Sequence, residues 1–107
     1  MKAKQIMRNN FRNGVIKRDG NKCKVCGISN VKLDAHHITD RTEMENGGYV
    51  IENGITLCDS ENGCHRKAEV YHTTNGKNWI DGYHPMDLYK LINSNLGLAR
   101  QKSKELL

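Results

Sequence analysis

Ile6, Met7, Phe11, Val15 and Ile16 recur at helical spacing among basic neighbours, which predicts an amphipathic helix from about Ala3 to Arg18. Asn13-Gly14 weakens that helix and Asp19-Gly20 ends it. Val31, Leu33 and Ala35 then alternate with Lys32, Asp34 and His36, the two-residue period of a half-buried strand running to Ile38. A polar loop over 39–48 ends in Gly47-Gly48, and Val50 to Leu57 reads as a second strand, so the two predict a hairpin. From Cys64 the run Arg66 to Tyr71 favours helix for about two turns, until Thr73-Thr74-Asn75-Gly76 stops it. Pro85 stands where a first-turn proline belongs, with Leu88, Leu91 and Ile92 marking a short helix. Leu96, Ala99 and Leu106 mark a final, basic one.

A chain of 107 residues allows one compact domain, 1–107: a basic helix over 1–20, a central part over 21–72 and a helical extension over 73–107. Hydrophobic residues make up 36% and aromatic residues 6%, so something besides an apolar core should hold it together. No stretch reaches the roughly 20 apolar residues of a membrane helix, so no membrane partner is expected. No apolar segment follows Met1-Lys2-Ala3-Lys4, so the expected location is the reducing cytoplasm, where the 4 Cys would be thiols or metal ligands rather than disulfides. Charge is uneven. Residues 1–32 hold nine Lys or Arg, Lys2 among them, against the single acid Asp19, which leaves −3 on the other 75 out of a total of +5. That footprint suits phosphate backbones, and equally a solvated helix face; Lys4, Arg8, Arg12, Lys17 and Arg18, with Arg66 and Lys67 further on, are the expected DNA contacts.

Cys23-x-x-Cys26 and Cys58-x5-Cys64 could supply four thiolates to one tetrahedral zinc, each pair lying beside a glycine, Gly27 or Gly63. Three other readings stay open: a redox dithiol at Cys23 and Cys26, buried unpaired thiols, or a three-cysteine site that recruits His65 in place of Cys64. Structural zinc contributes on the order of 10 kcal/mol to the folding of small domains, which would offset the thin core.

In order along the chain come Val15 to Gly27 with its C-x-x-C, then Leu33-Asp-Ala-His36-His37-Ile38, Gly47-Gly48, Asn53-Gly-Ile-Thr-Leu57-Cys58 and Cys64-His65-Arg-Lys-Ala-Glu69. This ordered set resembles the HNH family of nucleases over about Val15 to His72. The resemblance implies an α+β fold: a zinc-stabilised, treble-clef-like ββα-metal core with flanking N- and C-terminal helices. The second cysteine pair of the family usually reads C-x-x-C, and Asp59 to Gly63 lengthens it here.

Hydrolysing a phosphodiester takes a base to activate water and a divalent cation to neutralise developing charge. Imidazole suits the first task, and neighbours on a strand face opposite ways, so His36 and His37 should divide the work. The resemblance makes His36 a metal ligand, His37 the general base and His65 the ligand from the helical half, with the Asn53 amide tying the loop to the second strand. Glu69, one turn after His65, completes the cation site directly or through water, or is an exposed carboxylate paired with a base. For His72 a surface role is the simpler reading, His84 has no argued role, and Tyr71, Trp79 and Tyr83 are expected mainly in the core. The implied activity is a metal-dependent endonuclease acting on DNA with structural Zn2+ and catalytic Mg2+, Mn2+ or another divalent cation. The alternative is a zinc-framed, non-catalytic DNA-binding or phage packaging accessory module. Small stand-alone HNH proteins occur in bacteriophages, restriction systems and mobile elements, so the implied setting is a bacterial or phage-infected cell, with a packaging terminase as an implied partner.

Overall fold

The computed structural model describes residues 3–106; Met1, Lys2 and Leu107, which fall in the expected basic arm and carboxy-terminal extension, lie outside the described residues. Helix α1 spans Ala3–Arg18, as its apolar period predicts, and buries Phe11 and Val15. Strand β1, Leu33–His37, pairs antiparallel with β2, Gly54–Cys58, placing Asp34 opposite Leu57 and His36 opposite Ile55. Helix α1 lies on the face that carries His37, whose ring stacks on Phe11 at 4.4 Å. The approach is close because Gly54 has no side chain: a Cβ there would fall 2.5 Å from Val15 and 2.7 Å from Phe11.

Helix α2, Cys64–Thr73, covers the other face of the sheet and runs longer than expected before Asn75 and Gly76, both at positive φ, end it. Helix α3, Pro85–Leu91, starts at the expected proline. His84 caps it, its Nδ1 accepting from the Met86 amide at 3.1 Å while Asp87 accepts from the His84 amide at 3.3 Å. Helix α4, Leu96–Lys104, is capped by Asn95 and stops short of Leu106. Ile38, Ile55, Leu57, Leu88 and Ala99, all under 2% exposed, form the centre of the core together with Cys23, Cys58 and Cys64.

Two expectations are corrected. The second strand begins at Gly54 rather than Val50, since Ile51–Asn53 forms a 3-10 turn closed by the Asn53 amide on the Val50 carbonyl. In β1 the expected alternation is not clean: Leu33, Asp34 and Ala35 are all half-buried, His36 is 2% exposed, and Val31 stays 41% exposed before the strand. Helix α2 closes over His36, while Asp34 on the same side of the strand keeps 41% of its side-chain exposure. The result is an α+β domain of one two-stranded sheet and four α-helices among the described residues, with the radius of gyration of a single compact unit, 13.0 Å. None of these helices is long and apolar enough to cross a membrane.

Asp19 fastens α1 to the sheet. Its side chain is 1% exposed and accepts from Arg18 Nε at 2.9 Å, from Arg18 Nη2 at 3.0 Å and from the Thr56 amide at 2.9 Å. Burial raises the Asp19 pKa, but Arg18 and the Thr56 amide lower it further, leaving it below its ordinary value. Arg18, expected among the DNA contacts, also donates to the carbonyls of Ile51 and Gly54, so its guanidinium is committed inside the protein.

Candidate functional site

The two turns at Cys23–Cys26 and Cys58–Cys64 bring the four cysteines together, with every Sγ within 4.8 Å of the others. The Cys26 and Cys58 sulfurs are 3.8 Å apart, far beyond a disulfide bond and about the edge of a tetrahedron of thiolates set roughly 2.3 Å from zinc. Around the cluster the Cys64 amide donates to Cys58 Sγ at 3.3 Å and the Tyr83 hydroxyl to Cys64 Sγ at 3.2 Å. Burial pushes the Cys64 thiol up to about 12, against that tyrosine bond. Burial also raises Cys23, but backbone amides of Cys26, Cys58 and Val25 lower it further, to about 7. One thiolate therefore forms easily and opposes the next, a conflict that a divalent cation relieves. These four residues could hold a metal such as zinc. His65 is not part of this group.

On the α2 face of the sheet lies a second group, His36, His65 and Glu69, whose candidate ligand atoms all fall within 4.8 Å. Glu69 Oε1 sits 3.3 Å from His36 Nδ1 and 3.1 Å from His65 Nε2. Hydrogen bonds to both histidines hold the Glu69 carboxyl well below the usual carboxylate range, and the Glu69 bond raises His65. His65 Nδ1 lies 3.4 Å from Asp34 Oδ2 and 3.5 Å from Asp59 Oδ1. His72 is not a surface residue: its Nε2 donates to the His37 carbonyl at 3.0 Å and pins α2 to the end of β1.

His37 faces the other way, between the Phe11 ring and the edge of Tyr49 at 4.8 Å. It nonetheless shares a cavity of about 260 Å³ with His36, His65, His72 and Glu69, rimmed by Asp40, Arg41 and Tyr49. Burial, and then the neighbouring His36, pull the His37 pKa down to about 4, so its ring is neutral near pH 7. Nε2 of His36 and Nε2 of His37 are both buried without a hydrogen-bond partner. Such an orphan costs about 1–3 kcal/mol, so each nitrogen is available to a partner from outside the chain. A larger, mainly apolar cavity of about 800 Å³ between α3 and α4 includes His84 but none of these four histidines.

Asn53 supports the loop that carries this cavity. It is fully buried, its Nδ2 donating to the carbonyls of Thr39 and Gly48 and its Oδ1 accepting from the Thr39 amide and the Tyr89 hydroxyl. Gly48 stands at φ +67°, where a Cβ would meet Asn53 Nδ2 at 2.5 Å. Ser103 of α4 accepts from the Gly48 amide at 3.0 Å and donates to the Glu45 carbonyl.

Of the other expected DNA contacts, Lys4, Arg8, Arg12 and Lys17 are exposed on α1, and Arg66 and Lys67 on α2. Arg8 and Arg41 both hydrogen-bond to the Tyr49 hydroxyl, lowering its pKa against burial. Trp79, expected in the core, is 48% exposed and packs against His84 at 4.8 Å. Sequence reasoning missed Asp34, Asp59, Arg41 and Tyr49. For Asp34 a signal existed in its place two residues before His36, on the same side of the strand.

No protein-family model, no curated protein and no solved structure matches the chain, so the reading of the site rests on its residues and geometry.

Proposed function

We propose that the protein is a metal-dependent endonuclease of the HNH kind that hydrolyses phosphodiester bonds of DNA. One observation carries the reading: adjacent histidines of β1 enter one cavity from different surroundings, His36 beside His65 and Glu69, His37 between Phe11 and Tyr49. A DNA-binding module has no use for a neutral imidazole beside such a cluster. The order of β1, β2 and α2, with the four cysteines at its edge, is what the resemblance to HNH nucleases implies.

In this reading Cys23, Cys26, Cys58 and Cys64 hold a structural Zn2+, which adds the folding free energy that the thin core lacks. His36, His65 and Glu69 hold Mg2+, Mn2+ or another divalent cation, which when bound neutralises the charge that develops on the phosphate and the leaving oxygen. His37, neutral because it is buried, takes the proton of the attacking water as the new phosphorus–oxygen bond forms and the ester oxygen departs. Phe11 and Tyr49 fix its ring, and His72 fixes its backbone. Asn53 positions the loop that follows. Lys4, Arg8, Arg12, Lys17, Arg66 and Lys67 supply contacts to phosphates, whereas Arg18 is committed elsewhere.

The test is incubation of supercoiled plasmid with purified, zinc-containing protein across Mg2+, Mn2+ and other divalent ions, with and without brief chelation. Nicked or linear product that chelation suppresses and added cation restores supports the reading. Tight DNA binding with no cleavage under any cation would favour the zinc-framed binding or packaging module instead.

A further inference from the structure

His65 is gripped on both sides. Its Nε2 faces Glu69 Oε1 at 3.1 Å, while Nδ1 lies against two carboxylates from different parts of the chain, Asp34 Oδ2 at 3.4 Å and Asp59 Oδ1 at 3.5 Å. Each of these carboxylates uses its other oxygen as an anchor. Asp34 Oδ1 accepts from the Ala35 amide at 3.0 Å and lies 3.8 Å from Arg12. Asp59 Oδ2 lies 3.4 Å from Lys32 Nζ, and the Asp59 amide donates to the Lys32 carbonyl at 2.9 Å. One oxygen of each aspartate is thus held by the strand or the loop, and the second is presented to the same imidazole nitrogen.

We infer that Asp34 and Asp59 are positioning residues that keep the proton of His65 on Nδ1 and thereby present Nε2 as a cation ligand. The inference rests on the metal-dependent reading of the histidine cluster. Neutral imidazole carries one proton, and the nitrogen without it is the one that can bind a cation. A carboxylate favours the proton on the nitrogen it faces, orients the ring and makes the other nitrogen more basic, and here two aspartates at Nδ1 oppose the one Glu69 oxygen at Nε2. Two such carboxylates do so redundantly, and they add negative charge beside Glu69 where a divalent ion would bind. The arrangement also links the two centres, because Asp59 directly follows Cys58 and His65 directly follows Cys64. Asp59, the first residue after Cys58, therefore brings a carboxylate from the cysteine cluster to the histidine site.

The experiment uses the full chain with zinc retained at the cysteines, as wild type, Asp34→Asn, Asp59→Asn, the double variant and Asp59→Glu. Circular dichroism confirms the fold of each. Before any further cation is added, nitrogen-15 shifts above the titration of His65 report its tautomer; Mn2+ affinity is then measured by electron paramagnetic resonance. The expected result is an Nδ1–H tautomer in the wild type, a mixed or Nε2–H tautomer in the double variant and a loss of Mn2+ affinity of about 10- to 100-fold. Each single variant should lose less, and Asp59→Glu should recover part of the Asp59→Asn loss. A double variant that keeps the wild-type tautomer and binds Mn2+ within twofold of wild type, while His65→Ala binds none, overturns the inference and leaves the metal-dependent reading standing. Failure of wild-type protein to bind Mn2+ or to cleave DNA with any cation overturns both.

Discussion

Replacing Asp19 by Asn should cost the domain about 3 kcal/mol at neutral pH. The carboxylate is 1% exposed and takes three hydrogen bonds, two from the Arg18 guanidinium and one from the Thr56 amide. Asparagine keeps the shape but offers one acceptor oxygen where two were used, and its amide group sets a donor against Arg18 or Thr56. Breaking a buried ion pair on one side costs roughly 3–5 kcal/mol. Arg18 retains 26% of its side-chain exposure and keeps its bonds to the Ile51 and Gly54 carbonyls, which places the loss at the lower end. Against a total of about 5–15 kcal/mol, that is a large fraction. It corresponds to roughly 12 °C or more in Tm for a domain of this size. The sign with pH follows from the lowered Asp19 pKa. A carboxylate depressed in the folded state contributes its stability above its unfolded value of about 3.9, and loses it as pH falls through the folded value. Urea unfolding of both proteins at equal zinc loading should therefore show the full gap from pH 7 to pH 5 and a narrowing gap below about pH 4. A gap under 1 kcal/mol at pH 7, or one unchanged at pH 3.5, would refute this reasoning.

Asn53→Ala strips four hydrogen bonds and leaves the Thr39 and Gly48 groups buried without partners, so it should cost about 3 kcal/mol or more in denaturant unfolding; less than 1 kcal/mol would mean that the loop is held elsewhere. Metal analysis after dialysis should find one zinc per chain, and Cys23→Ser should give unfolded or insoluble protein; folded, metal-free wild type would contradict the four-cysteine centre. Neutralising Lys4, Arg8 and Arg12 together should weaken binding to all DNA sequences about equally and lower the salt slope by up to roughly one unit for each phosphate no longer neutralised, whereas an unchanged slope would reduce α1 to a solvated face.

What could be read from the chain was what periodicity and spacing encode locally. The bounds of α1 follow from five apolar positions, and the cysteine cluster from two pairs at glycine-flanked turns. The burial of His36 in β1 is not legible, because it depends on α2 closing over it from 29 residues away, as the close approach of the His36 and His65 rings shows. Arg18 reads as a phosphate contact in the sequence because a basic residue at a helix end carries no mark of the Ile51 and Gly54 carbonyls it donates to. Val50, an extended apolar residue, reads as the start of the second strand, but the chain turns over Ile51–Asn53 first and sets Asn53 among its four partners. Tyr89 and Ser103 reach this loop from α3 and α4, and no local pattern announces it.

The most direct test of the central claim is the cleavage rate of wild type against His37→Ala, at matched zinc content and matched DNA binding, on supercoiled plasmid with Mn2+. His37 is neutral near pH 7, so replacing it removes the proton acceptor without removing a charge that meets DNA, and circular dichroism checks that the packing lost against Phe11 and Tyr49 leaves the fold intact. The account predicts cleavage by the wild type and a rate lower by roughly 10²- to 10⁴-fold in the variant. Equal rates in the two proteins, or no cleavage by the wild type with any divalent cation, would contradict it.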